Sequence, residues 1–113
     1  MIYRIAEQAD WQRAQREGVF ASGDLSEEGF IHCSEFHQVL RTAEKYYVGK
    51  KCLVLLEIDD GLLGAALVRE DVGGSGVFPH AYTPIPLAAI VRHFDFGVDA
   101  RGCFQLPDAL QQD

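Results

Sequence analysis

The sequence lacks the features that mark a membrane or nucleic-acid-binding protein. Its longest apolar stretches, residues 53–56 and 62–68, are far shorter than the ~20 residues that span a bilayer. No apolar run near the start is long enough for an export signal. Basic residues number 10 against 17 acidic ones and are scattered, so no basic stripe is available for phosphate backbones. We therefore expect a cytoplasmic protein that binds neither membrane nor nucleic acid.

Cysteine is also scarce, with three residues at wide spacings and no CxxC motif, which excludes a zinc ribbon or a dithiol redox site. Unpaired thiols fit a reducing cytosol. We expect Cys33, Cys52 and Cys103 to be buried, inert thiols. The glycine-rich residues 73–76 lack the GxGxxG and GxxxxGK[ST] spacings, so we interpret them as a mobile flap and not as a nucleotide loop.

The composition is that of an ordinary globular domain, with 48% hydrophobic and 24% charged residues. A chain of 113 residues fits one domain, 1–113, with a polar C-terminal tail from about residue 107. A domain of this size buries ~65% of the surface that its unfolded chain exposes, which is enough for a core without disulfides or metals.

Hydrophobic periodicity predicts two clear helices and several strands. One helix is expected to begin at an Asp10 cap and end at Gly18, and a second to run over residues 36–47 behind a Ser34 cap. Strands are expected over residues 2–5, 30–33, 52–58, 67–70 and 89–96, of which 52–58 is the central one. Two or three helices with five or six strands in a mixed or antiparallel sheet, in non-alternating order, predict a compact α+β domain.

The first candidate site is the sequence EGFIHCS, residues 28–34, where a strand meets a helix start. Such a junction offers free backbone N–H groups for an anion. His32 could bind or polarise a phosphate, a ribose or a carbonyl, and Ser34 could donate to the same group. The alternatives are a half-buried structural histidine and a simple helix cap. Nucleophilic catalysis by Cys33 is weakly supported, because neighbours along a strand point to opposite faces.

The second candidate site is FPHAY, residues 78–82, directly after the glycine-rich loop. Pro79 fixes the approach of His80, and Tyr82 offers a phenol or a stacking face. The alternative is a proline-braced turn that packs aromatic side chains. Glu70 is the most interesting carboxylate, because it ends a strand just before this loop, although a solvated edge residue is the common outcome.

If the two motifs converge, an imidazole pair could act in acid–base chemistry or bind an anion. A metal site from His32, Cys33, His37 and His80 matches no standard zinc spacing, so we expect no metal. His93, in the last long strand, is interpreted as a surface or cross-strand residue.

These motifs resemble a family of small bacterial proteins, domain of unknown function 952. The matching residues are 2–3, 28–34, Gln38, 56–59 and 78–82, spread over nearly the whole chain. The resemblance implies a compact α+β protein of about this length without an established activity. Glutathione transferase activity is not expected, because 113 residues cannot supply both a thioredoxin-like and a helical domain.

A more distant resemblance is to ADP-ribosyltransferases, whose plan begins with a strand carrying an aromatic–His pair and later has a strand carrying a Glu. The residues that could fill this plan are Tyr3, Gly18, residues 29–34, the helix to Tyr47, and Glu70. Arg4 stands where the family's NAD-binding histidine would be. The resemblance implies NAD as cofactor, and Glu70 as a carboxylate that orients a hydroxyl. The residues that would hold phosphates and ribose are His32, Ser34, His80 and Tyr82, with Tyr3 and Gln38 as further ligand-binding candidates.

The sequence thus predicts a small-ligand or nucleotide-binding domain with an ADP-ribosyltransferase-like site built from both histidine motifs. One alternative is a non-catalytic anion-binding or protein-interaction domain. A metal-dependent hydrolase ranks behind both. Whether the protein is an enzyme, and its oligomeric state, stay open at this point.

Overall fold

Nine strands and three α-helices follow one another irregularly along residues 1–111, the part of the chain that the computed structural model describes. The strands are β1 (Ile2–Glu7), β2 (Val19–Phe20), β3 (Ile31–His32), β4 (Leu53–Ile58), β5 (Leu67–Glu70), β6 (Phe78–Ala81), β7 (Ile85–Pro86), β8 (Ile90–Val98) and β9 (Phe104–Gln105). The helices are α1 (Gln8–Glu17), α2 (Gly23–Glu28) and α3 (Val39–Tyr46). The predicted α+β class is confirmed.

The strands form three antiparallel sheets. Their orders are β1-β4-β8-β9, β3-β6-β5 and β2-β7. An isolated bridge between Tyr3 and Ser34 joins β1 to the chain just after β3. The five predicted strands correspond to β1, β3, β4, β5 and β8. β6 and the two-residue strands β2, β7 and β9 are missing from the prediction, because runs so short show no clear period.

The centre of the fold is β4, as the apolar run at residues 52–58 predicts. All six of its residues are buried. Because side chains alternate along a strand, Val54, Leu56 and Ile58 pack on one face with Trp11 of α1. Leu53 and Leu55 pack on the other face, and the cluster there includes Val39 and Ala43 of α3, Phe96 and Phe104. The two helices therefore cover opposite faces of the same sheet.

The starts of both predicted helices need correction. α1 begins at Gln8, not after an Asp10 cap, because β1 stays paired through Glu7 opposite Leu53 and the chain enters the helix without a turn. Asp10 lies in the first turn and accepts a hydrogen bond from Arg13 at 2.8 Å. Before α3, a 3-10 turn spans Phe36–Gln38.

Ser34 does not cap this helix, because its backbone N–H and carbonyl are both paired with Tyr3. The chain leaves the strand one residue later, at Glu35, whose backbone N–H donates to the Gln38 side chain at 2.9 Å. The helical segment itself is confirmed where the periodicity places it.

Cys33 is buried as expected, but Cys52 and Cys103 are exposed, so the prediction is wrong for those two. Cys52 precedes β4 with a φ of 58°, outside the apolar strand proper. Cys103 lies in the turn before β9, where the Asp99 carboxylate accepts its N–H at 3.0 Å. No helix within residues 1–111 has the length and apolar character needed to cross a membrane.

Gly18 ends α1, as the sequence predicts, and a substitution there tests the reason. It adopts a φ of 83° while its N–H donates to the Ala14 carbonyl, and a Cβ there would meet no atom within 4 Å. Gly18→Ala should therefore lower the free energy of unfolding by about 1–2 kcal/mol through backbone strain alone. Urea denaturation measures it.

Gly23→Ala is the matched control. Gly23 also has no atom within 4 Å of a Cβ, but it is the first residue of α2 and has no left-handed φ. Its replacement should leave stability unchanged or raise it by up to about 1 kcal/mol. Equal losses at both positions would contradict the strain argument.

Candidate functional site

A cleft of about 820 Å³ opens beside the bridge that joins the two larger sheets. Its walls come from β1, the start of α2, the segment 32–34, α3 and the glycine-rich loop before β6. The volume lies in the range of small-molecule sites, ~300–1,000 Å³. Both histidine motifs contribute to its lining, through His32, Ser34 and His80.

The structure brings the two histidines together. His32 and His80 are directly opposite one another in the antiparallel β3–β6 pair. Their rings meet edge to face with centroids 5.3 Å apart. Because cross-strand neighbours share one face of a sheet, the sequence separation of the two motifs disappears in the fold. His80 is 3% exposed, whereas His32 lies at the open side.

Phe30 packs against both imidazoles and holds them in place. Its ring stacks on His80 at 4.1 Å with an interplanar angle of 22°, and it meets His32 at 4.8 Å. It also contacts the Tyr82 ring at 5.4 Å. Phe30 was not among the predicted site residues, although its position two residues before His32 puts it on the same face of the strand.

Each imidazole has a carboxylate partner. His80 Nδ1 lies 2.8 Å from Glu70 Oε2, and the same oxygen accepts a hydrogen bond from the Tyr82 hydroxyl. The hydrogen bonds from Tyr82 and His80 lower the pKa of Glu70, and the bond to Glu70 raises the pKa of Tyr82. His32 Nε2 lies 2.8 Å from Glu28 Oε2. Neither Glu70 nor Tyr82 is part of the cleft lining, so the carboxylate contacts His80 from outside the cleft.

Arg4, at the position of the NAD-binding histidine in the resemblance, is a nearly buried cation in the cleft wall. Its Nη1 donates to Asp24 Oδ2 at 2.6 Å and to the His32 carbonyl at 2.9 Å. The His32 N–H donates to the same Asp24 oxygen at 2.9 Å. Arg4 Nε is the one buried side-chain nitrogen or oxygen without a hydrogen-bond partner within residues 1–111.

Asp24 is a site residue that the sequence did not reveal, because the helix that carries it is too short and polar to be recognised. Burial by itself would raise the pKa of Asp24. The Arg4 guanidinium and the hydrogen bonds from Ser22 and His32 outweigh burial and hold the pKa below its ordinary value. The carboxylate thus ties α2 to β1 and to the histidine strand.

α3 supplies a basic wall that the sequence analysis also missed. Arg41 and Lys45 line the cleft from positions one helical turn apart, and Tyr46 lies beside Lys45, with its ring centre 5.1 Å from Nζ. No ion pair of Arg41 or Lys45 occurs in the described part of the chain. Ser34 joins this wall to the histidine strand, because its hydroxyl lies 3.1 Å from that of Thr42.

Two predicted ligand-binding residues are used inside the protein. Gln38 is buried and contacts Val77 and Glu35, where its amide donates to the Val77 carbonyl at 2.8 Å. Tyr3 lines the cleft, but its hydroxyl donates to the buried Glu57 at 2.8 Å. Glu57 in turn accepts from Arg92 at 2.6 and 3.0 Å.

The residues weighed as metal ligands do not form a cluster. Cys33 alternates with His32 and faces the core, where burial raises the pKa of its thiol to about 12. His37 is exposed on the turn before α3. Across residues 1–111 there is no group of three or more His, Cys, Asp or Glu side chains placed to hold a metal ion.

The remaining predicted features lie at the edges of the site. In the glycine-rich loop, Ser75 and Gly76 line the cleft, and the Asp71 carboxylate accepts the Gly74 N–H at 2.9 Å. His93 is exposed, and its ring lies 5.1 Å from Trp11, outside the cleft.

The Arg4–Asp24 pair predicts a pH-dependent stability. Because the folded pKa of Asp24 is depressed, its contribution is complete above its unfolded pKa of about 4 and is lost as the pH falls through the folded value. Asp24→Asn should lower the free energy of unfolding by about 3 kcal/mol at pH 7, because Arg4 loses its charged partner. The gap between the two proteins should narrow below about pH 4.

Urea denaturation at several pH values measures this gap. Glu27→Gln, on the exposed side of α2, is the control and should change little. A difference in the free energy of unfolding between the wild type and Asp24→Asn that stays constant down to pH 2.5 would contradict a depressed pKa of Asp24 in the folded state.

Known proteins place this chain in a family. A family model described as protein of unknown function (DUF952) matches residues 5–93. The crystal structure of protein CC0527 from Caulobacter crescentus is 38% identical, with a TM-score of 0.87 over 97% of this chain and 97% of that chain.

The solution NMR structure of CC0527 is 37% identical, with a TM-score of 0.85 over 99% of this chain and 97% of that chain. No curated protein gives a significant match. A family model over most of the residues and a relative more than a third identical along nearly the whole length lead to one conclusion: the chain belongs to the DUF952 family.

Proposed function

We propose that the cleft binds a phosphate-bearing small molecule of the nucleotide class, in an ADP-ribosyltransferase-like site built from both histidine motifs. The observation that carries the proposal is that the imidazoles of His32 and His80 lie together in the cleft lining next to the nearly buried Arg4. Arg4 Nε is buried without a hydrogen-bond partner within residues 1–111. A donor in that state costs about 1–3 kcal/mol, so the fold keeps this guanidinium in the cleft wall against a penalty.

The unpaired cations of the lining support an anionic ligand. The chain as a whole carries −7, whereas the lining is balanced, with four basic side chains (Arg4, Arg41, Lys45 and Lys50) and four acidic ones (Glu7, Asp10, Asp24 and Glu28). Arg4 and Lys50 have acidic partners, whereas Arg41 and Lys45 have none within residues 1–111. All four acidic lining residues have partners, so the α3 wall is the part of the cleft whose positive charge is left to attract an anion.

Binding without turnover is the second candidate, and the position of Glu70 favours it. The resemblance to ADP-ribosyltransferases gives this carboxylate the role of orienting a ligand hydroxyl. In the fold, its Oε2 is held by His80 and Tyr82, behind the cleft lining. A ligand in the cleft therefore meets the imidazoles first, and nicotinamide release from NAD would show whether chemistry follows binding.

NAD is the first ligand to titrate, with ADP-ribose and inorganic pyrophosphate beside it. We expect saturable amide shifts at Arg4, at residues 29–34, at residues 72–80 and along α3 of ¹⁵N-labelled protein. Arg41→Ala and Lys45→Ala should each weaken binding by about five- to tenfold, on the order of 1 kcal/mol for one charged contact.

Arg16→Ala, which removes an exposed cation from α1 outside the cleft, should leave the affinity unchanged. The absence of shifts with all three compounds at millimolar concentration, on a folded sample, would overturn the proposal. Saturation without nicotinamide release would select the non-catalytic site.

A further inference from the structure

We infer that Glu70 is a positioning residue that holds neutral His80 as its Nδ1–H tautomer, so that Nε2 faces the cleft as an acceptor of a ligand hydrogen. The group recognised there is then a hydroxyl or a protonated phosphate oxygen. The tautomer is inferred from contacts within the ligand-free protein, whereas the identity of the ligand group rests on the proposed function.

The strand register explains why these side chains meet. His80 lies opposite Val68, and Glu70 lies opposite Phe78, so Glu70 and His80 are diagonal neighbours across the β5–β6 pair. Diagonal positions on one face are within reach of long side chains. Tyr82 follows His80 by two residues on the same face and adds its hydroxyl to the same carboxylate oxygen.

The chemistry of the carboxylate assigns the tautomer. An ionised carboxylate only accepts hydrogen bonds, so the ring nitrogen 2.8 Å from Glu70 must carry the proton. A neutral imidazole has one N–H, which leaves Nε2 with a lone pair. His80 is 3% exposed and its ring is stacked at 4.1 Å on Phe30, and this packing opposes a ring flip that would exchange the two nitrogens.

Nε2 of His80 is open to a ligand. Within residues 1–111, Nε2 makes no hydrogen bond. If it were also buried, it would be a buried polar atom without a partner, and Arg4 Nε is the one such atom in that part of the chain. The atom is therefore accessible, and His80 belongs to the cleft lining. A carboxylate behind one nitrogen and an open acceptor at the other is the arrangement of an oriented general base.

His32 supplies an internal contrast. It also pairs with a glutamate at 2.8 Å, but its side chain is 46% exposed and that of Glu28 is 52% exposed. Water competes for both groups, so this pair fixes its imidazole weakly. Glu28→Gln is thus the matched control for Glu70→Gln, because each change removes one carboxylate charge from one histidine.

Long-range ¹H–¹⁵N correlation spectra of histidine-labelled protein test the tautomer without any ligand. The spectra are recorded at a pH where titration of the same signals shows His80 to be neutral, and His80→Asn assigns the resonances. We expect a pyrrole-type Nδ1 and a pyridine-type Nε2 for His80 in the wild type and in Glu28→Gln. Glu70→Gln should give a mixture of tautomers, because its amide can either donate to Nδ1 or accept from it.

An Nε2–H tautomer or an even mixture in the wild type would overturn the inference, and so would a Glu70→Gln spectrum identical to the wild type. The wild-type spectrum decides the matter even if the variant fails to fold.

With saturating NAD, the His80 Nε2 resonance should move upfield as a ligand hydrogen is donated to it. A saturated complex with an unmoved Nε2 would overturn the ligand part. A failure of NAD, ADP-ribose and pyrophosphate to bind would overturn the proposed function and leave the tautomer result standing.

Discussion

Two backbone hydrogen bonds between Tyr3 and Ser34, at 2.8 and 2.7 Å, join the two larger sheets of the molecule. On one side of this bridge β1 pairs with the buried β4, and on the other side the chain of β3 pairs with β6. The cleft lies where these two pairings part. A side chain next to the bridge, such as Arg4, can therefore contact groups of both sheets, and the position of the site follows from the junction.

Electrostatics then fixes the short helix α2 over this junction. The Asp24 carboxylate receives hydrogen bonds from the Arg4 guanidinium and from the His32 backbone. Both charged side chains are nearly buried, with 11% and 12% of their surfaces exposed. Hydrogen bonds beyond the ion pair offset part of its burial cost: the His32 carbonyl accepts from Arg4 and the His32 N–H donates to Asp24, while Arg4 Nε has no partner within residues 1–111. Stability and site geometry thus depend on the same contacts.

The elements of the fold were largely predictable because each depends on local pattern. Continuous burial of β4, the end of α1 at Gly18 and the periodicity before Tyr47 are all written in neighbouring residues. Polar α2 and the short strands β2, β7 and β9 have too few residues for a period, so tertiary contacts alone define them. The exposure of Cys52 has the same origin, since it directly precedes the buried strand and is outside the pairing that begins at Leu53.

The candidate site shows the same division. The sequence pattern indicates His32 and His80, because each follows an aromatic residue and one intervening residue at the edge of an apolar segment. Their contact depends on the register of β3 against β6, which pairs residues 48 positions apart in the chain (80 minus 32). The further site residues Asp24, Arg41 and Lys45 lie on α2 and α3. How these helices pack against the sheets depends on tertiary contacts, which local sequence patterns do not predict.

The two imidazole–carboxylate pairs differ in a way that bears on function. His80 and its packing partner Phe30 are buried, and Glu70 holds the ring from behind. His32 lies at the open side with a solvated carboxylate partner, so water competes for both groups. One imidazole is thus held by burial and packing, whereas its neighbour is solvated. This division of roles requires both motifs on adjacent strands, which is what the bridge at Tyr3 and the β3–β6 register together impose.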